Sequence, residues 1–181
     1  GALRNISGNN TYQGAITLST NAVRINSDSG TLTLSGNITN STLGLTVGGV
    51  GDTSISGIIG NGAGTLTKDG TGTLTLSGAN SYTGLTTISA GVIRASNNTA
   101  LGTIAGGVTV ASGAALELSG GITIGAEALT LNNAGVSSGG ALRNISGNNT
   151  YQGAITLSTN AVRINSDSGT LTLSGNITNS T

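Results

Sequence analysis

Side chains able to do chemistry are scarce in this chain. Its 181 residues include six basic and six acidic residues, with no His, Cys, Met, Trp, Phe or Pro. Without His or Cys, neither a Ser-His-Asp nor a Cys-His nucleophile can be assembled. A zinc site of the usual ligand set is excluded by the same absence. Glu117 and Glu127 are near each other in sequence. Two carboxylates brought together across a fold could hydrolyse a glycosidic bond, but the plainer reading is a pair of solvated surface acids. The expectation is a protein that is not an enzyme, with no catalytic residue, no cofactor and no metal.

Other short motifs point to binding. Gly48–Asp52, "GGVGD", has the style of a calcium nonapeptide loop, but it occurs singly and its Asp falls one place early. Gly60–Thr65, "GNGAGT", has glycines suited to a phosphate but lacks the following Lys, so corner glycines are expected. Tyr12, Tyr82 and Tyr151 recur in one sequence register, as do Arg24, Arg94 and Arg163. A row of Tyr stacks on sugar faces; a corner brace is the structural alternative. The three Arg are expected to point outward and keep the surface soluble. Lys68 and Asp69 are expected to pair with neighbours across the fold. Thr31/Thr33, Thr65/Thr67 and Thr73/Thr75 form Thr-x-Thr pairs of the kind ice-binding surfaces use. The steps from Thr31 to Thr65 and from Thr65 to Thr73 are unequal, so the pairs do not hold one face.

Formal charge is zero and charged residues make up 7 % of the chain, against roughly 25 % in ordinary domains. No basic patch invites nucleic acid. No apolar run approaches the roughly 20 residues needed to span a bilayer, and no basic start with an apolar stretch marks a signal peptide. The chain reads as a segment of something longer. Regular Leu, Ile and Val argue for a folded chain rather than a disordered one.

The chain repeats itself. Residues 1–42 and 140–181 are identical, so one period runs from Gly1 to Gly139. A weaker repeat aligns "SGNNTYQG" from Ser7 with "SGANSYTG" from Ser77, half a period on. The organisation expected is one full period at 1–139, made of two diverged halves at about 1–69 and 70–139. The next period starts at 140–181, all in one continuous solenoid.

A finer repeat sets the local structure. "AITL" from Ala15, "TLTL" from Thr31, "LGLTV" from Leu43, "TLTL" from Thr73 and "LEL" from Leu116 alternate apolar and polar residues, with Gly, Asn and Ser between runs. Alternation of period two with turn residues at short intervals is the strand signal. Short strands at fixed spacing fit an all-β parallel solenoid with about three strands per coil. The expectation is five or six coils per period and seven or eight in all. Alternation places Val23, Ile25, Leu32, Leu34, Leu45, Val47, Leu74, Leu76, Ile93, Leu116 and Leu131 inside, with Thr73 and Thr75 outside. Corner Asn residues are expected to hydrogen-bond from coil to coil.

Leu66–Gly102 reads "LTKDGTGTLTLSGANSYTGLTTISAGVIRASNNTALG". It closely resembles the passenger-associated transport repeat of bacterial autotransporters, also called the autotransporter-associated β-strand repeat. Lys68, Gly70 and Gly72 match the Lys-x-Gly-x-Gly start, and Leu74, Leu76 and Gly78 match the strand. Asn80, Tyr82, Gly84 and Thr87 match the turn, and Gly91 matches the end. A degenerate copy without the Lys-x-Gly-x-Gly element starts at Ser7 and returns at Ser146. The resemblance implies a right-handed parallel β-helix of a type V secreted passenger, exported through the outer membrane and displayed at the cell surface or released.

The expected function is structural: a stalk or adhesive rod of a large surface fibre that aids secretion and folding. Its partners would be neighbouring repeats, with end-to-end self-association into filaments, and host or cell-surface glycans, without nucleic acid or membrane insertion of this segment. The alternative is a binding module for glycans on a Tyr/Arg face or for ice on a Thr face.

Overall fold

The computed structural model describes residues 2–60, 62–158 and 161–180. Short strands wind in coils around one core and pair only in parallel with the equivalent strand of the next coil. The first face is a sheet of nine strands: Leu3–Asn5, Val23–Ser27, Leu45–Gly48, Leu66–Lys68, Thr86–Ile88, Val108–Val110, Leu129–Leu131, Ile155–Leu157 and Ile177–Asn179. The second face has eight: Asn10–Tyr12, Thr31–Leu34, Asp52–Ile55, Thr73–Leu76, Gly91–Ala95, Ala114–Ser119, Leu142–Ser146 and Ile164–Ser166. The third face is split in two. Ile16–Thr17, Ile38–Thr39 and Ile59–Gly60 form one part, and Thr123–Ile124, Asn149–Tyr151 and Leu171–Leu173 the other. The architecture is the all-β parallel solenoid that the alternation predicts, with about eight turns of three faces each.

Successive coils pair Leu3 with Ile25, Leu45 with Leu66 and Thr86 with Val108, so the coils are nearly equal in length. The coil from Leu129 to Ile155 is longer, because the single turn Val136–Ser138 is inserted before its second-face strand. Side chains alternate in and out as a strand requires. The second face stacks Leu34, Ile55, Leu76, Ala95 and Leu118 in one inward column. All five are buried, as are Leu45, Leu66, Leu74, Ile93, Leu116 and Leu131 elsewhere in the core. Val23, placed by its alternation among the inward residues, is only partly buried against the core.

The two identical segments do not occupy the same faces. Leu3, Tyr12 and Ile16 lie on the first, second and third faces. Their counterparts Leu142, Tyr151 and Ile155 lie on the second, third and first. The first-face register runs Leu3, Ile25, Val47, Lys68, Ile88, Val110 and Leu131, which is six coil steps. Leu142 is one face further on. The period is therefore six and one-third coils, not the five or six expected from strand counting. The inner repeat shifts as well: Arg24 is on the first face and Arg94 on the second.

Candidate functional site

The residues of the Lys68–Gly91 motif build one coil and close the corner of the next. Lys68 stands in an inward column of the first face, between Val47 and Ile88. It is 2 % exposed. Its Nζ donates to the carbonyl oxygens of Asp69 at 2.7 Å, Gly70 at 2.8 Å and Ala90 at 3.3 Å. An ammonium has three donors and no acceptor, so three carbonyls saturate it and tie one corner to the next coil. Burial lowers its pKa to about 8, against the opposing pull of Asp69 and Asp52. The expected pairing of Lys68 with an acid across coils is replaced by this carbonyl cage. Its inward parity follows from Leu66-Thr67-Lys68 and was legible in the alternation.

The motif glycines sit where backbones stack most closely. Gly70 and Gly91 have φ +70° and +66°, the left-handed region that glycine tolerates best. A Cβ on Gly91 would lie 2.9 Å from Lys68 Nζ and 2.5 Å from the Gly72 carbonyl oxygen. Cβ atoms on Gly70, Gly72 and Gly78 would strike the carbonyls of Gly49, Gly51 and Gly57 one coil below, and one on Gly84 would lie 2.5 Å from the Ala63 carbonyl oxygen. Each motif glycine thus continues a contact line down the corners of the solenoid.

The turn residues are braces. Asn80 Oδ1 accepts from the Ile59 N–H at 2.8 Å, and its Nδ2 donates to the Ala100 carbonyl at 2.6 Å, linking three coils. Asn9, Asn37, Asn98, Asn148 and Asn149 also accept a backbone N–H from the adjacent coil. Tyr82 is fully buried, with its hydroxyl 2.8 Å from Thr86 Oγ1. Burial raises the pKa of Tyr82 and Tyr151. Tyr151 is in the inward column Ile124–Tyr151–Leu173. Tyr12 is in the inward column of the second face, and is 43 % exposed because its coil is the first one described. No outward Tyr row exists among the described residues, so a sugar-stacking Tyr face is corrected to three inward rings.

The charges are likewise consumed between coils. Arg24 Nη1 and Nη2 donate to Asp69 at 2.6 and 2.8 Å. Arg4 pairs with Asp28, and Arg143 with Asp167 and Glu117. Arg94 Nε and Nη2 donate to Glu117 at 3.0 and 2.8 Å, and Arg163 donates to the Ser138 carbonyl. The hydrogen bond from Arg4 holds Asp28 below the usual carboxylate range, and that from Arg143 does the same for Asp167. Arg24 and Arg94 are thus inter-coil staples on different faces rather than a row of free solubilising charges. Glu117 and Glu127 are buried rather than solvated. Glu117 is covered by its two Arg on the second face, in the outward row Arg94–Glu117–Arg143. Glu127 lies in the corner between Thr123–Ile124 and the first-face strand Leu129–Leu131. The two carboxylates therefore occupy different faces, and no group of three or more His, Cys, Asp or Glu converges among the described residues. Which Arg covers Glu117 depends on the register of the coils on either side, which no local pattern announces.

Thr87 has a further neighbour relation. The Thr-x-Thr pairs divide between faces, yet single Thr residues align. Thr46, Thr67, Thr87, Thr109, Thr130, Thr156 and Thr178 follow one another, coil by coil, along the outside of the first face.

The ion pairs and the glycine-lined corners join one coil to the next in a parallel solenoid of repeated short strands. Residues 66–95 match the family model of the passenger-associated-transport-repeat, a likeness consistent with the β-solenoid fold. The matched stretch runs from the first-face strand Leu66–Lys68 to the end of the second-face strand Gly91–Ala95. No curated protein and no solved structure matches the chain.

Proposed function

We propose that this chain is a stalk segment of a bacterial autotransporter passenger, exported across the outer membrane, in which each coil serves as a unit of length and as a template for the next. The observation that carries this reading is the use of Lys68, Gly70, Gly72, Gly78, Asn80, Gly84 and Gly91 in coil-to-coil contacts. Stacked coils add stability by nearest-neighbour contacts, which suits a passenger that folds progressively as it emerges. The motif then acts as a strong coil that aids secretion and folding. The rod has no catalytic role in this reading, and adhesion belongs to what it carries.

The test is export of a passenger bearing this segment. In-frame removal of residues 45–65 takes out one whole coil and sets Leu66 in the place of Leu45. It should preserve surface display, whereas Gly72→Ala should reduce it and leave protease-sensitive material behind. Equal display of both would refute the stacking role. End-to-end association of the 181-residue polypeptide is part of the proposal. It would extend the parallel pairing of equivalent strands that joins each coil to the next. Sedimentation showing only monomer at high concentration would remove that part.

A second reading, ice binding, is favoured by one observation, the straight row of seven Thr on the first face. A regular array of hydroxyls and methyls at the strand spacing of about 4.8 Å can order water as a lattice. Inhibition of ice recrystallisation by the polypeptide, abolished by Thr109→Lys with Thr130→Lys, would establish it. No inhibition leaves the stalk reading alone.

A further inference from the structure

On the third face the regular strands lapse between coils, and residues from 80–81, 98–104 and 123–127 line an open cleft of about 430 Å³. Ile104, 65 % exposed, stands on it, with Asn98, Thr99, Gly102, Thr123 and Glu127. Glu127 is 2 % exposed, and its Oε1 is sealed from water with no hydrogen-bond partner. Among the acids it is singular. Asp28, Asp69, Glu117 and Asp167 each have an Arg, and Asp52 accepts the Thr73 N–H. The ion pairs and carbonyl contacts of the six basic residues all leave Glu127 out.

A buried carboxyl without a cation is held in its neutral form, and a cation that arrives with its own apolar stem stabilises the charged form. We propose that this cleft binds a primary alkylammonium group, with Glu127 as its counter-ion and Ile104 and the Thr methyls against its stem. An ammonium is compact and brings three donors, and a turn of the Glu127 side chain in the cleft wall presents its unpaired Oε1 to them; a planar guanidinium is wider and makes a poorer fit. The same chemistry is carried by a free alkylamine and by a lysine side chain. This site is independent of the stalk reading and would recur once per period.

Binding is linked to a proton. Burial holds the Glu127 pKa at about 8, so at pH 7 the group is mostly protonated, and pairing with an ammonium ionises it. The Glu127 shift comes from burial alone, and Tyr82 and Tyr151 are the titratable groups whose pKa the Glu127 charge in turn raises. Both are raised by burial and stay protonated at pH 7, so a released proton comes from Glu127.

The experiment uses the 181-residue polypeptide with n-butylammonium chloride as probe. Saturable amide shifts at Thr99, Ile104 and Thr123 are expected, with proton release at pH 7 seen as buffer-dependent binding heat. Butanol and methylguanidinium should bind weakly. In Glu127→Gln, affinity should drop about tenfold and proton release vanish. The comparison of ammonium with butanol, and the proton release, need no variant and decide the matter even if Glu127→Gln folds poorly. No saturable shift, equal binding of butanol, or release of no proton would overturn the proposal. Nα-acetyl-lysine amide then decides the source: binding as tight as butylammonium assigns a lysine side chain, and failure to bind assigns a free amine.

Discussion

Arg24 and Asp69 are joined by two hydrogen bonds across two coil steps, and Gly48 lies beneath the bridge they form. A Cβ on Gly48 would lie 2.5 Å from Arg24 Nη2 and still closer to Asp69 Oδ1. Both obstacles are ends of flexible, partly exposed side chains. Gly48→Ala should therefore cost no more than the loss of the bridge, about 1 kcal/mol or less. Its neighbour Gly49 has φ +111° and would drive a Cβ into the Ser27 backbone. Gly49→Ala should cost on the order of 3 kcal/mol or more. Urea midpoints of the two variants check the contrast, and equal losses would contradict it.

Tyr82 and Tyr151 share one motif position but differ in their hydroxyls. Tyr82 bonds Thr86 at 2.8 Å, while the buried Tyr151 hydroxyl has no partner. Tyr82→Phe should lose about 1 kcal/mol, whereas Tyr151→Phe should be neutral or stabilising, since it removes an unsatisfied polar atom. Thermal melting of each variant is the measurement. A larger loss in Tyr151→Phe would show that its hydroxyl finds a partner.

Lys68→Met keeps an apolar stem in the column between Val47 and Ile88 but abandons three carbonyls. Leaving them unsatisfied in a buried corner should cost about 2–4 kcal/mol. Hydrogen exchange should quicken first around Asp69–Thr73 and Ala90–Val92. Unchanged exchange there would mean that the cage is not needed to hold the corner.

Stability should pass through a minimum near pH 8. Glu127 has a folded pKa raised to about 8 from an ordinary 4.5. Between those values the unfolded state binds fewer protons than the folded one, so stability falls as pH rises. Lys68 has a folded pKa lowered to about 8 from 10.5. Above 8 the unfolded state binds more protons, so stability climbs again toward 10.5. Each limb should amount to a few kcal/mol at most, since a tenfold change in proton affinity is worth about 1.4 kcal/mol. Below about pH 4 the lowered pKa values of Asp28 and Asp167 act as well, and stability falls with pH as they are protonated. Denaturant titrations from pH 5 to 10 show the minimum. Glu127→Gln should flatten the falling limb and Lys68→Met the rising one.

The inward column of Leu34, Leu76 and Leu118 was legible because one face of each strand must be buried, and alternation marks that face without reference to any other coil. The corner glycines and Asn80 were legible for the same local reason. What escaped local reading depends on register. Glu117 becomes buried only because Arg94 and Arg143 arrive from the coils on either side of it. Tyr12 and Tyr151 share a sequence and an inward direction, but their faces are set by the lengths of all the intervening coils. The Thr row was hidden because its members belong to seven different strands, whereas the visible Thr-x-Thr pairs are close neighbours in sequence.

The extra third of a coil in each period makes a run of such periods a screw rather than a ruler. A patch made once per period is turned by about 120° in the next copy and faces its first direction again only after three periods, since one of three faces is gained each time. Those three periods are nineteen coils, about 91 Å along the axis. Such a rod has no front. A ligand or antibody meets the same epitope from three sides in turn, at a spacing of about 30 Å. Two rods laid side by side meet identical residues along a common edge only once in three periods. The continuous in-register contact that sheet-on-sheet fibrils require is thereby broken. Exact sequence repetition, ordinarily an invitation to aggregate, is made safer by a remainder of one face.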